Sequence, residues 1–500
     1  MNKKWLISSM FLSLLAGCSL APHFKLPDLS APQAFKEPIP DVTDVETSSA
    51  QWQPALPLEA ESRGQWWKLF DDAALDALQQ QAMNANQNLR AASARVEQSR
   101  ALVRASASSI FPTISADANV VRAKSADAST SGFSSGPPSK LKPYTLYSAG
   151  LEASYEVDLF ARVLDNERAL KLDAEAQDAM YKSVLLALQA DVAEHYFRLR
   201  ALDGEIALLR DTIKMRTEAD RIMQKRMEVG TVSAVDTSRT SAELAVAKAE
   251  VIALERMRAA LENALAVLLG VSPSEYHFAE APLGEVVPPL VPAGVPSALL
   301  LRRPDISAAQ SSMAAANRRV GVARTAFFPR LILTATGGFQ SSELSDVLQW
   351  SSRGWALGQL AGSALSMTIF DNGRNAARVD VANAAYDEAV ANWRQQALVA
   401  FAEVESALAN QRLLADQMQQ QTITAAASNK VFTLNKRRYE EGDTNYFDVV
   451  SADRDALAAN RAAIQTRAER MLAAVSLIRV LGGGWEDVSR ETEKVSPTIN

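Results

Sequence analysis

Long proline-free stretches of the chain carry apolar residues at helical spacing. Leu185, Leu188, Val192, Leu199, Leu202, Ile206, Leu209 and Ile213 step by threes, fours and one seven, which marks one apolar helix face. Leu254, Leu261 and Leu268 are spaced by sevens, as are Leu457, Ile464, Met471 and Ile478. That is the repeat of helices packed as coiled coils. The pattern predicts helices over about 72–108, 165–229, 233–269, 305–327, 372–441 and 446–481. The two longest would run to roughly 100 Å at about 1.5 Å per residue. The shorter ones are read as stacked end to end, 72–108 with 233–269 and 305–327 with 446–481, each pair matching one long helix.

Two segments in each half leave this period. Phe111–Val121 and Tyr144–Asp158 flank a Ser-, Gly- and Pro-rich loop, Lys124–Pro143. Phe328–Gln340 and Trp355–Phe370 flank a second, Ser341–Arg353. Alternation along Thr145–Val157 and the β-rich run Leu331–Phe339 predict two hairpins, four strands in all. At roughly 10–15 residues each, such strands can cross an outer membrane when tilted. Tyr144, Tyr147, Trp350 and Trp355 are candidate interface residues; a soluble β-domain is the alternative. Four strands cannot close a barrel, which needs about eight, and open edges are not viable in lipid. Strands that span would therefore require several chains to share one barrel, in a number the pattern leaves open.

The chain is one unit written twice. The turn around Gly230, from Arg226 to Asp236, returns around Gly442, from Arg438 to Asp448, at an offset of 212 residues (442 − 230). Gly270 and Gly482 share that offset, Phe160 and Phe370 lie 210 apart, and the pair Leu89 and Pro112 matches Ile306 and Pro329 at 217. The resulting division is a signal peptide over 1–17, an extended tether over 18–71, a first repeat over 72–272 with its β-hairpin at 110–158, a Pro-rich linker over 273–304, a second repeat over 305–484 with its β-hairpin at 328–370, and a tail over 485–500. Gly230 and Gly442 suit the left-handed residue that ends a helix. Ser233 is the candidate cap of the helix that follows the first turn, and Asp443, Thr444 or Asn445 of the helix that follows the second.

The first residues supply an address. Lys3 and Lys4 precede an apolar stretch, Trp5–Leu15, and Leu15-Ala16-Gly17-Cys18 closes it as a lipobox. Cys18 is then the lipidated residue, carrying diacylglycerol and an N-acyl chain, and it is the single cysteine of the chain. Disulfides and other thiol chemistry are thereby excluded. Ser19, where some bacterial lipoproteins have Asp, favours the outer membrane by that resemblance. The formal charge is −6, with no basic tract, which argues against a nucleic-acid partner. His23, His195 and His277 stand far apart, and no paired-Cys spacing or phosphate loop occurs. The chain is accordingly read as no enzyme, with no metal site, no catalytic residue and no cofactor beyond the lipid.

The mature chain resembles the TolC-like outer-membrane factor family, and within it the NodT-like efflux lipoproteins. The resemblance rests on Leu15–Cys18, Leu301-Arg-Arg-Pro-Asp-Ile306, Phe328-Pro329, Ile369-Phe-Asp-Asn-Gly373 and the two Gly-centred turns. It implies a mainly α fold with a β part: a homotrimer whose long coiled-coil helices form a periplasmic α-barrel and whose chains share a 12-stranded transmembrane β-barrel. It also implies two partners, a periplasmic adaptor and an inner-membrane pump driven by protons. By the same resemblance Arg226, Gly230, Ser233, Asp236, Arg438, Gly442 and Asp448 occupy adaptor-docking tips. Tyr439, Asp443 and Thr444 fall at the periplasmic gate. Tyr439 matches an aromatic that holds some of these channels shut, but Thr444 stands where some members place the latch Arg, so Asp443 is the candidate for an acidic constriction instead. The implied function is a passive gated conduit for small toxic compounds. The alternatives are a protein-secretion channel or, in another class, a coiled-coil scaffold lipoprotein with no lumen.

Overall fold

The computed structural model describes residues 19–29, 32, 34–37, 53–54, 65–124, 142–284, 287–290, 302–357 and 365–483. Its helices are α1 (Ala73–Ala85), α2 (Gln87–Ser108), α3 (Arg162–Glu228), α4 (Ala234–Leu268), α5 (Pro304–Arg324), α6 (Arg374–Glu440) and α7 (Tyr446–Val480). The strands are β1 (Gln53–Pro54), β2 (Thr113–Ala123), β3 (Tyr144–Val157), β4 (Pro289–Leu290), β5 (Arg330–Ser341), β6 (Arg353–Leu357) and β7 (Leu365–Ser366). The fold is mainly α with a small antiparallel sheet. Helices α3 and α6 are 67 residues long and α4 and α7 are 35, so the two halves match element for element in this part. The chain forms two compact units, one drawn from 1–27, 96–177 and 309–393, the other from 28–95, 178–308 and 394–500. Each unit takes segments from both repeats, so a sequence repeat is not itself a compact body.

The first unit holds the sheet, in the order β2-β3-β5-β6, with β7 also paired to β5. Its register makes two different faces, because side chains alternate along a strand. Ile114 stands opposite Ala153, Val120 opposite Tyr147, and Tyr155 opposite Leu333. Leu151 and Trp355 both align with Gly337. The register places these positions on one face, which is apolar. The other face carries Asp117, Asn119, Ser148, Glu152, Thr334 and Gln340, through pairings such as Asn119 with Ser148 and Glu152 with Thr336. Trp355 is 77% exposed, and Ile114, Val120, Leu151 and Leu333 are exposed with it. The predicted fourth strand, Trp355–Phe370, is described as β6 and β7, since 358–364 lie outside the described residues, as do 125–141 of the predicted loop Lys124–Pro143. The predicted loop Ser341–Arg353 contains two short 3-10 turns, Leu344–Asp346 and Trp350–Ser352. Phe160 stacks on Phe328 with ring centroids 4.6 Å apart. Its partner in the repeat, Phe370, is exposed, so that match in sequence is not a match in packing.

The same unit receives the first described residues of the chain. Ser19 Oγ donates to Asp165 at 2.5 Å. Asp165 is fully buried and also faces Arg168 at 3.5 Å and Arg318 at 3.4 Å. Ala21 lies so close to Gly321 that a Cβ there would meet its backbone at 2.6 Å.

The second unit holds the main core. Trp66, Trp67 and Phe70, expected within the extended tether 18–71, form a 3-10 turn and are buried. Trp66 donates to Gln189 at 3.0 Å and Phe70 packs on Phe197 with centroids 5.0 Å apart. The tether reading therefore fails at its C-terminal end: three large aromatic groups gain more from burial than from solvent. The single helix predicted over 72–108 is also corrected, since it breaks at Asn86. The Asn86 amide donates to Leu268 O at 2.9 Å and its oxygen accepts from Leu89 N at 3.0 Å, so one side chain serves two helix ends. The end of α4 abuts that break: Gly270 has φ 69° and its Cβ position lies 2.3 Å from Ala85 O. At the end of α7, Gly482 has φ 91° and meets Arg302 O at 2.9 Å. Arg303, buried there, donates to Asp305 at 2.7 Å, Glu403 at 2.6 Å and Val480 O at 3.1 Å, joining α5, α6 and the end of α7.

Candidate functional site

The two Gly-centred turns lie at the ends of α3 and α6, within the second unit. Each long helix ends in the same way. Gly230 has φ 73° and Gly442 φ 83°. The amide of Thr231 reaches back to Arg226 O at 2.9 Å, and that of Asp443 to Arg438 O at 2.8 Å. Each bond spans six residues and satisfies a carbonyl that the helix end would otherwise leave bare, an arrangement that needs a left-handed residue. Nothing lies within 4 Å of a Cβ built on either glycine, so conformation alone explains glycine at both turns.

The next helices start on different caps. Ser233 and Asp236 form a reciprocal capping box at α4. At α7 the cap is Asn445, whose side chain accepts from Asp448 N at 3.1 Å. Of the three candidates, Asn445 alone sits directly before the first helical residue. Asp443 instead accepts from Arg438 Nε at 2.9 Å, and the Thr444 hydroxyl donates to the Asp448 carboxylate.

Contacts then tie one turn to the other. Arg226 donates to the Tyr439 hydroxyl at 2.6 Å, and its guanidinium lies 5.6 Å from the centroid of that ring. The Tyr439 hydroxyl in turn reaches Met223 Sδ at 3.7 Å, and its ring meets Tyr446 edge-on at 5.2 Å. Arg216, buried, pairs with Asp453 at 2.7 Å and Glu243 at 3.3 Å. Arg239 lies 5.0 Å above the Phe447 ring. Farther along the same helices Arg461 pairs with Glu205 at 3.2 Å and Glu250 at 2.9 Å. Burial, with the nearby Tyr439 and Asp453 adding to it, pushes the Tyr446 phenol up to about 12. No motif in the sequence marks Met223, Arg216, Tyr446, Asp453 or Arg239. The one signal for several of them is that the two copies differ there: Arg216 matches Ser428, Asp453 matches Ser241 and Tyr446 matches Ala234 at the offset of 212.

The turns offer charge, caps and cross-ties, with no constellation for chemistry. Among the described residues no group of His, Cys, Asp and Glu could hold a metal. His195 Nδ1 faces Asp191 O at 2.8 Å along its own helix, and exposed His277 lies 3.2 Å from Glu262. No described helix is long and apolar enough to cross a membrane. Cys18 lies outside the described residues.

Comparison with known proteins gives one consistent answer. The profile of the outer membrane efflux protein family matches residues 78–271 and 295–483. The toluene efflux pump outer membrane protein TtgF of Pseudomonas putida is 31% identical over 481 residues, 95% of this chain and 96% of the relative. Outer membrane protein OprJ of Pseudomonas aeruginosa is 30% identical over 489 residues, 96% of each. Among solved structures, the CmeC outer membrane channel of Campylobacter jejuni superposes with a TM-score of 0.83 at 25% identity, over 95% of this chain and 98% of that one. The outer-membrane channel OprN superposes with a TM-score of 0.81 at 28% identity, over 94% and 100%. The chain belongs to the outer membrane efflux protein family: it is the outer-membrane channel component of an efflux system, a transporter that extends from the outer membrane into the periplasm.

Proposed function

We propose that three copies of this chain share one 12-stranded β-barrel, continued by an α-helical tunnel, and that the assembly exports small toxic compounds passively. The single observation that carries this reading is the two-faced open sheet. Its apolar face suits lipid, and its polar face, with Asp117 and Glu152, suits a water-filled lumen. Strands β2, β3 and β5 have 11, 14 and 12 residues, enough to span a bilayer when tilted. In the order β2-β3-β5-β6, no strand among the described residues pairs with the outer side of β2 or of β6, which leaves these edges for the sheet of a neighbouring copy. Relatives named as toluene and antibiotic efflux pump components point to small, largely apolar cargo.

In this reading the turns at Gly230 and Gly442 dock a periplasmic adaptor, which couples the channel to an inner-membrane pump driven by protons. The chain then needs no energy source of its own. Tyr439, Asp443 and Thr444 form the periplasmic gate, and Cys18 carries the lipid anchor. Ser19, the next residue, is held by buried Asp165, which would fix the start of the anchor against the sheet-bearing unit.

Purified protein tested in planar bilayers should give discrete ion conductance, and gels should show an oligomer that heat dissociates. A monomer with no conductance would overturn the channel reading. Labelling cells with radioactive palmitate should mark wild type and not Cys18→Ser; label persisting in that variant would overturn the lipid assignment alone.

A further inference from the structure

Close to the turns, the second unit forms a half-open cavity of about 580 Å³ between α3 and α4 on one side and α6 and α7 on the other. That size falls within the range of small-molecule sites, roughly 300–1,000 Å³. Its walls are Met215, Ile222, Met223, Phe432, Tyr446 and Val449. Met223 and Val449 are buried, as are Arg216 and Thr240, while Met215 and Ile222 are exposed and form the mouth. Methionine and aromatic groups adapt to planar guests, because the thioether is flexible and polarizable and the ring faces stack.

Charge decides the class of guest. Four cationic side chains and four carboxylates line the cavity, so it carries no formal net charge. Most are already committed. Arg216 is held by Asp453 and Glu243, Arg226 by Tyr439 and Lys214 by Asp211. Glu218 is paired with Arg221. Lys436 and Glu440 are exposed and of opposite sign. A charged ligand would have to break a pair or, at the rim, meet Lys436 and Glu440 together, one of which repels it whatever its sign. A neutral ligand leaves every pair intact.

We propose that this cavity is a binding site for a neutral aromatic molecule, which on binding touches both helical pairs at once. The proposal stands on the cavity alone and does not depend on the channel reading. The test uses the full-length protein as purified, with N-phenyl-1-naphthylamine as a neutral fluorescent probe and benzophenone as a neutral photoreactive one. Met215→Lys and Ile222→Lys place a charge in the mouth at exposed positions, where folding tolerates it. Each should weaken dye binding about tenfold, and Met215→Leu should not. Leu413→Lys, exposed on α6 and outside the cavity, should bind like wild type. Peptides carrying Met215, Met223 and Val449 should bear the benzophenone adducts. Dye affinity unchanged in both Lys variants, or adducts confined to strands β2, β3 and β5, would overturn the site. A permanently cationic analogue of the dye binding at least as tightly as the dye itself would overturn the assigned chemistry.

Discussion

Arg226, near the end of the first long helix, donates to the hydroxyl of Tyr439, near the end of the second, at 2.6 Å. The two residues are 213 apart in sequence and join the two copies of the repeat at their turns. Arg226 is exposed and Tyr439 half-buried, and one hydrogen bond of this kind stabilises a fold by about 1 kcal/mol net. Its effect is therefore expected on the position of the turns and not on folding.

That gives a first prediction. Arg226→Ala removes the hydrogen bond and the contact with the ring, whereas Tyr439→Phe keeps the ring and removes the hydroxyl's contacts with Arg226 and Met223 Sδ. Both variants should assemble and melt like wild type. In planar bilayers the conductance of the resting channel should rise, more in Arg226→Ala than in Tyr439→Phe. The double variant should fall short of the sum of the two single effects, because both changes break the Arg226–Tyr439 contact. Resting conductance identical to wild type in all three would mean that the pair does not hold the entrance.

The four repeated glycines make a second prediction, since they share a conformation and differ in surroundings. At Gly230 and Gly442 the left-handed backbone is the only obstacle to alanine, at a cost of about 1–2 kcal/mol. At Gly270 the added carbon would also strike Ala85 O at 2.3 Å, and at Gly482 Arg302 O at 2.9 Å. Gly270→Ala should push α4 away from Asn86 and lose about 3 kcal/mol or more, with Gly482→Ala between the extremes. Thermal unfolding of the four alanine variants should rank them in that order. Equal shifts at all four positions would show that contact at the helix joints contributes nothing.

This contrast also marks how far the sequence could be read. Helix ends at Gly230 and Gly442 were legible because a local conformation demands glycine there. The two-faced sheet was legible because alternation is local as well. The break at Asn86 was not, because no proline or glycine marks it and its cause is the end of α4, far along the chain. Trp66, Trp67 and Phe70 read as tether because they follow a proline-rich segment, and only their partners Gln189 and Phe197 reveal a core. The ties between the turns were hidden differently. The repeat points to matching residues, whereas Tyr446, Arg216 and Asp453 sit where the copies differ; Tyr439 differs too and was legible only through the family resemblance.

The third prediction concerns alkaline pH. The Tyr196 phenol, pushed up to about 12 by burial and then by its hydrogen bond to Asp72, and the Tyr446 phenol, pushed to about 12 chiefly by burial, are both raised in the folded chain. A raised pKa means that the folded state holds its proton more tightly than the unfolded one. The stability this contributes is complete below about pH 10, the unfolded value, and is lost as pH rises toward about 12. Absorbance titration should find three tyrosines ionising late, Tyr276 among them because burial raises it too, with one fewer in Tyr196→Phe and one fewer in Tyr446→Phe. Melting temperature should be flat up to about pH 10 and fall above it, less steeply in each variant. All tyrosines titrating together would rule out burial as a force on either phenol.

The last prediction separates a structural Asp443 from one that faces the pore. Its carboxylate is held by Arg438 at 2.9 Å, and both side chains are exposed. Within one protomer this pair is neutral and adds little to stability. If three copies meet at a threefold axis, the axis receives three such pairs, and removing either partner exposes a ring of the other sign. Two carboxylates about 4 Å apart repel by roughly 1 kcal/mol even in water, so a bare acidic ring would favour cations. Arg438→Ala should therefore shift selectivity toward cations and strengthen block by multivalent cations. Asp443→Ala should shift it toward anions by leaving Arg438 uncompensated. The pair at the axis thus predicts opposite shifts from the two variants, and the double variant should return close to wild type. A carboxylate that only braces the turn predicts none of these shifts, because neither group would then lie on the path of the ions. Single-channel recordings in asymmetric salt decide between the two. Reversal potentials equal to wild type in both single variants would remove Asp443 from the gate and leave it as a brace for Arg438 beside the Asn445 cap.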